Sequence, residues 1–192
     1  MNVTAIRAAG DPAAVEIRTD RLRLRPPVAA DRDAVVAAIG RWEVARWLAR
    51  VPHPYAAADA EAFIAASAAR RVAGRTLALF VLDDDGLAGC VGLDELGPAP
   101  ELGYWIAPDR WGRGYATEAA TAAVALAFDR LGAGRIRSGV FAGNDASLAV
   151  QRKLGFEITG RSRVFCLARG EELDHIDTVL ARAPHAQEDS KR

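Results

Sequence analysis

The stretch "ELGYWIAPDRWGRGYATEAATAAVALAFDRLG", residues 101–132, decides how this chain is read. Its apolar opening reads as a strand, which runs into a loop rich in Gly and Arg. A helix follows from about Ala116 to Leu131, with Ala120, Val124, Phe128 and Leu131 on one face. The first turn of a helix carries backbone N–H groups without intrahelical partners, at the positive end of the dipole. Such a terminus suits an anion, phosphate above all. Gly112 and Gly114 let the backbone turn and approach the anion with no Cβ in the way, Ala116 is small, and Arg110 and Arg113 add charge. The loop therefore points to a phosphate-bearing ligand, best a pyrophosphate. A Gly-rich connection that binds nothing is the plain alternative the loop alone leaves open.

Two familiar phosphate loops do not match. A Walker loop needs Gly-Lys-Ser or Gly-Lys-Thr, which the chain lacks. A dinucleotide fingerprint needs a third Gly where Thr117 stands, in an opening βαβ unit; here several strands precede the loop.

Outward from the loop, residues 16–27 alternate as a first strand closed by Pro26 and Pro27. Residues 29–40 read as a helix with Asp31 or Asp33 near its start and Gly40 past its end. Residues 41–55 read as a broken helix stopped by Pro52 and Pro54, and residues 57–74 as a second helix ending at Gly74. A hairpin turns at Asp83, Asp84, Asp85 and Gly86 within residues 75–96. After the loop and its helix come a strand over 135–143, a short helix over 144–155 stopped by Gly155, and two or three strands over 156–182. The strand–helix–strand unit at the centre predicts a parallel pair, and the hairpins make the sheet mixed.

Composition narrows the classes. The chain has 192 residues, a length for one domain, and 51% are apolar, enough for a sizeable core. Its 25 basic and 25 acidic residues cancel, against a nucleic-acid partner. No apolar run approaches the ~18 residues of a membrane span, and the N-terminus lacks the pattern of a signal peptide, so a cytoplasmic protein without a membrane partner is expected. Cys90 and Cys166 match no metal spacing and read as buried core thiols. No metal is expected. His53, His175 and His185 form no recognisable cluster.

"ELGYWIAPDRWGRGYATEA" followed by "GNDASLAVQRKLGF" resembles the GNAT superfamily of acyl-CoA-dependent N-acyltransferases. More narrowly, the chain is similar to the branch that acetylates N-termini of ribosomal proteins, "TDRLRLRPPVAADRDAV" matching its first strand and helix. The resemblance runs over about residues 18–181. It implies a flexible N-terminus at 1–15, an N-acetyltransferase domain at 16–182 and a disordered tail at 183–192. The implied fold is an α/β (α+β) single domain, with a mixed twisted sheet of about seven strands, flanking helices and a splay at the acetyl-CoA cleft. By the same resemblance the backbone of Gly112, Arg113, Gly114, Tyr115, Ala116 and Thr117 takes the CoA pyrophosphate. The backbone of Tyr104, Trp105 and Ile106 pairs with the pantetheine arm, Gly103 marks a bulge that opens the cleft, and Asn144 contacts the arm besides capping its helix. Trp111 replaces the Gln or Arg with which the family's loop often begins. Gln151 replaces the Tyr that often protonates the leaving thiolate, and Gln is no acid.

The chemistry implied is direct attack of a neutral amine on the acetyl thioester in a ternary complex, with the N–H near Ile106 polarising the carbonyl. A base must take a proton from the amine. Glu101, at the start of the splayed strand and on one side with Gly103 and Trp105, is the first candidate; Asp94 and Glu95 follow. Glu118 reads as a dipole partner of its helix. Ser147 shares a helix face with Val150, Gln151 and Leu154, and the branch places a Ser there near the sulfur, as donor to the departing thiolate. Trp42, Trp47, Tyr55 and Phe63 read as core and acceptor wall. Three functions fit: transfer to a protein or peptide N-terminus, transfer to a small amine such as an aminoglycoside, polyamine or amino acid, or a non-catalytic acyl-CoA-binding regulatory domain. The chain is expected to act as a monomer or homodimer.

Overall fold

The computed structural model describes residues 4–6 and 15–182. The strands are β1 (Thr4–Ile6), β2 (Glu16–Arg18), β3 (Arg23–Arg25), β4 (Thr76–Asp83), β5 (Gly86–Asp94), β6 (Glu101–Ile106), β7 (Arg135–Phe141), β8 (Glu157–Cys166) and β9 (Glu171–Ala181). The helices are α1 (Arg32–Ile39), α2 (Trp42–Ala45), α3 (Ala57–Val72), α4 (Tyr115–Asp129) and α5 (Asp145–Leu154). The nine strands form one sheet in the order β1-β2-β3-β4-β5-β6-β7-β9-β8. Among the described residues only β6 and β7 run parallel, as the crossover through α4 requires.

Two strands exceed the expected seven. The first reading took residues 16–27 as one strand. A turn at Thr19, whose backbone N–H bonds to the Leu22 carbonyl, splits it into the antiparallel β2 and β3. β1 adds a further edge within the segment expected to be loose. The rest of 1–15, and the tail 183–192 with His185, lie outside the described residues.

The sheet has two coats. On one face α4 lays small residues, Ala119, Ala120, Ala122, Ala123 and Ala127, against Leu79, Val91, Leu93, Leu102 and Ile136. Alanine here lets the helix backbone lie close to the strands. Val124, Phe128 and Leu131, expected on the buried stripe, are only partly covered. On the other face α1, α2 and α3 bury Val35, Ile39, Val44 and Ala60 against Ala78, Phe80 and Cys90. Both cysteines are free and buried, as expected, and burial pushes the Cys90 thiol up to about 12.

α5 is tied to the sheet by polar groups. Gln151 is 1% exposed. Its amide nitrogen donates to Ser138 Oγ at 2.9 Å, and its carbonyl oxygen accepts from Thr178 Oγ1 at 2.7 Å. Ser138 Oγ in turn donates to the Leu102 carbonyl at 2.8 Å. One side chain thereby joins β6, β7, β9 and α5. Gln151→Ala leaves Ser138 and Thr178 without their partner and opens a cavity, and should destabilise by about 3 kcal/mol. Urea denaturation checks this, the expected change being a lower midpoint at an unaltered slope.

Candidate active site

The site begins where a ladder ends. β6 and β7 are in register only at Glu101↔Arg137. Past that pair the two strands part, while β6 keeps its full pairing with β5 from Asp94↔Glu101 to Gly89↔Ile106. That register runs without a shift through Gly92↔Gly103, so Gly103 marks no bulge on the β5 side. The Ala107 N–H donates to the Ala88 carbonyl on β5. By alternation the Trp105 backbone also faces β5, whereas Tyr104 and Ile106 direct their N–H groups into the opening. Trp105 therefore does not share the role expected of Tyr104 and Ile106. The Ile106 carbonyl on the open side is capped by the Trp111 indole N–H at 2.7 Å, which gives the loop's unusual Trp a local task.

The loop follows at once. Gly112 and Gly114 have φ of 75° and 80°, left-handed values that favour glycine. A Cβ at Gly112 would meet nothing within 4 Å, so the backbone lies open to a ligand there. Gly114 caps α4 with no side-chain bond, and the N–H groups of Tyr115, Ala116 and Thr117 precede the first intrahelical bond, Glu118 N–H to Gly114 O. Of the two flanking arginines, Arg110 is spent within the fold and Arg113 is not. Arg110 is bound to Asp83 at 2.7 Å and lies 3.7 Å from Asp85, on the β4–β5 turn. Arg113 is exposed, and its carbonyl accepts from Arg21 at 2.9 Å.

Arg21 was not singled out by the sequence. From the turn between β2 and β3 it clasps Glu118 through Nε at 2.8 Å and NH2 at 2.6 Å, and lies 5.1 Å over the Tyr115 ring. Glu118 also accepts from Thr19 Oγ1 and the Arg21 N–H. Burial works against the Glu118 charge, but the Thr19 and Arg21 bonds prevail and hold its carboxyl below the usual range. Glu118 is a buried anchor in the first turn, as its dipole reading anticipated. The signal for Arg21 was weak, a strand-edge Arg among several.

On the α5 side Asn144 caps the helix, its Oδ1 accepting from the Ser147 N–H at 3.2 Å. The Tyr104 hydroxyl reaches across from β6 to Ser147, 3.0 Å from both its Oγ and its carbonyl oxygen. Burial raises the Tyr104 hydroxyl's pKa, opposed by its bonds to Ser147 and Gln151. A phenol hydroxyl thus stands beside the position where the family carries its Tyr, supplied from the strand instead of the helix. Gln151 itself points into the sheet.

The opposite face of the fork carries the carboxylates. Glu101 is exposed, and no hydrogen bond or ion pair engages its side chain among the described residues. Asp94 is held by Thr76, Arg50 and Arg70, and Glu95 by Arg137, so the two alternatives are committed elsewhere. His175, read as isolated, sits with its Nδ1 2.8 Å from Asp177 Oδ1. The i, i+2 spacing on a strand was the signal that puts both on one face. Of the early aromatics, Tyr55 packs into the core beneath α1–α3, Trp42 meets His53 at 5.1 Å with the rings tilted, Phe63 lies 6.1 Å from Phe80, and Trp47 approaches Gly143 over the β7–α5 turn.

No group of three or more His, Cys, Asp or Glu able to hold a metal occurs among the described residues. None of their helices is long and apolar enough to cross a membrane.

Known proteins share this arrangement. The family model for the acetyltransferase (GNAT) domain matches residues 21–157. An uncharacterized N-acetyltransferase of Bacillus subtilis, YoaA, is 30% identical over 163 residues, 82% of this chain and 92% of its own. Two solved structures share the fold. RimJ of Mycobacterium smegmatis, in complex with a CoA disulfide, has a TM-score of 0.78 at 22% identity, over 96% of this chain and 89% of its own. RimL, a ribosomal L7/L12 alpha-N-protein acetyltransferase in complex with coenzyme A, has a TM-score of 0.75 at 18% identity, over 85% and 95%. The chain belongs to the GNAT acetyltransferase family and is an acetyl-CoA-dependent N-acetyltransferase.

Proposed function

We propose that this acetyltransferase acts on a protein or peptide N-terminal amine, a ribosomal protein being the first acceptor to test, and that it works in the cytoplasm. The observation that carries the reading is the fork between β6 and β7. One face of it meets the glycine loop and the Ser147–Tyr104 hydroxyls, and the other meets the free Glu101. The fold relatives named for ribosomal substrates support the acceptor class.

Acetyl-CoA supplies the acetyl thioester. The open amides from Gly112 to Thr117 suit its pyrophosphate, the Asn144 amide its pantetheine arm, and the Tyr104 and Ile106 N–H groups the arm and the thioester carbonyl. Glu101 draws in the cationic acceptor and is the first carboxylate to relay its proton. The amine nitrogen bonds to the acetyl carbon, the carbon–sulfur bond breaks, and Ser147, backed by Tyr104, donates to the leaving thiolate. These hydroxyls at the fork favour turnover over a purely regulatory domain, and they remove the objection that Gln151 is no acid. CoA release measured across peptides, aminoglycosides and polyamines tests the acceptor; exclusive turnover of a small amine would replace the peptide reading.

Gly114→Glu puts a side chain on a left-handed residue and a like charge beside the pyrophosphate. Acetyl-CoA affinity should fall at least tenfold, about 1.4 kcal/mol. Calorimetry on the folded variant checks it, and unchanged affinity would remove the loop from the site.

Ser147→Ala should lower kcat about 100-fold, the size of a lost proton donor, with acetyl-CoA binding nearly intact. Tyr104→Phe should lower kcat in the same way. A wild-type rate in Ser147→Ala would make Ser147 an ordinary first-turn residue.

An α-amine has a pKa of roughly 7.7–8.0 and a lysine side chain about 10.4, so at neutral pH the lysine needs about 3.4 kcal/mol more to become neutral. A peptide with a free N-terminus and acetylated Lys should therefore turn over faster at pH 7 than its converse, with rates rising as pH climbs. Faster turnover of the Lys side chain would overturn the α-amine assignment.

A further inference from the structure

The odd-numbered residues of β6, β7 and β9 line the face of the fork turned away from α4 and α5. Ser138 and Thr178 bond Gln151 on the α5 side, and Tyr104 reaches Ser147 there. Alternation then turns Glu101, Gly103, Gly139, His175 and Asp177 to the other face. Continuing the Glu101↔Arg137 register by two residues on each strand sets Gly103 opposite Gly139 across the opening. Two strands that part at this point both lack a side chain on the face where an acceptor enters. A Cβ at Gly103 would meet nothing within 4 Å.

At Gly139 the missing side chain is replaced by an imidazole. A Cβ there would lie 2.2 Å from His175 Cε1 and 2.9 Å from Nε2. The ring of His175 therefore lies over β7, the strand bordering the fork, in space only a glycine leaves free. Its orientation is set from three sides. Nδ1 bonds Asp177 Oδ1 at 2.8 Å, Ser162 Oγ on β8 donates to that same oxygen at 2.9 Å, and Phe141 meets the ring edge-on at 5.6 Å. A carboxylate can only accept, so Nδ1 is the donor in this bond, and in the neutral ring Nε2 is then the nitrogen with the lone pair. The other charged groups that alternation puts on this face are Glu101 on β6, Asp94 paired with it on β5, Arg135 and Arg137 on β7 and Glu171 on β9; Asp94 is held by Arg50 and Arg70, Arg137 by Glu95 and Glu171 by Arg169.

We propose that His175, positioned by Asp177, is the base that takes the proton from the acceptor amine. The proposal rests on the transfer reading above. The proton on the acceptor ammonium passes to Nε2, and the freed lone pair attacks the acetyl carbon. The thiolate leaves with a proton from the Ser147–Tyr104 pair, the second proton that the nitrogen sheds as the amide forms restores that pair through water, and His175 later gives its proton to water. Glu101 then serves to hold the cation at the mouth, and Asp177 is a positioning residue that fixes the orientation of the ring through its bond to Nδ1.

The test measures acetyl transfer to the α-amine peptide between pH 6 and 9, with acetyl-CoA affinity by calorimetry as the control for an intact fold. His175→Ala should lose about 100-fold in kcat at pH 7 at unchanged acetyl-CoA affinity, the usual size of a lost base. The deficit should shrink towards pH 9, where the amine deprotonates by itself, and added imidazole should restore part of the rate. Asp177→Asn should cost less and shift the pH profile. Gly139→Ala keeps His175 but displaces its ring, and should lower kcat even if His175→Ala proves unstable. A wild-type rate at pH 7 in either His175→Ala or Gly139→Ala overturns the assignment, as does a loss that neither pH nor imidazole alters. A wild type inactive on every amine tested overturns the acceptor reading and this proposal together. An active wild type with an equally active His175→Ala overturns this proposal alone.

Discussion

A parallel pair of strands that stops after Glu101↔Arg137 is the constraint on which the rest of this site depends. Backbone N–H and C=O groups in a sheet interior are expected to be paired. The N–H groups of Tyr104 and Ile106, turned away from β5, have no β7 strand to meet. Within the fold they are left without a strand partner. Holding such a fork open needs a brace, because the shortest way to satisfy those groups would be to zip β7 back onto β6. The Leu102–Ser138–Gln151–Thr178 chain is that brace. It pins the strands where they part, and it buries polar groups that satisfy one another. Such networks are costly when broken and specific when complete.

The ligand loop is organised by a charge far away in sequence. Glu118 is buried in the first turn of α4, where a carboxylate gains from the helix dipole. Arg21 neutralises it from the β2–β3 turn and also bonds the Arg113 carbonyl. The loop thus arrives with its amides already aimed, and less ordering entropy is lost when an anion binds. The N-terminal strands, remote from the thioester, take part in the site through this contact.

On the face turned away from α4 and α5 the fork is lined by what is absent as much as by what is present. Gly103 leaves open space, and Gly139 yields its space to His175. Glu101 keeps a free carboxylate, while Asp94 and Glu95 are taken up in ion pairs with Arg50, Arg70 and Arg137. Three carboxylates that look alike in sequence are separated by their neighbours into one available group and two structural ones.

The loop with its two glycines, the parallel crossover and the order of elements from the first helix onward were legible in the sequence, because each rests on local chemistry. A glycine that must adopt positive φ, an apolar strand run and a helix start leave their mark within a few residues. Asn144 as a cap and Glu118 as a dipole partner were legible for the same reason. What the chain could not disclose was which distant side chains meet. Arg110 looked like a phosphate ligand and is spent on Asp83; Gln151 looked like a missing acid and is a buried brace, with Tyr104 arriving from another element. The same holds for His175, which finds Asp177 on its own strand but gains its place at the fork only because β7 presents a glycine beside it. Pairing across strands and helices depends on register and on the space neighbouring side chains leave. Those are properties of the folded sheet, decided after the local elements have formed.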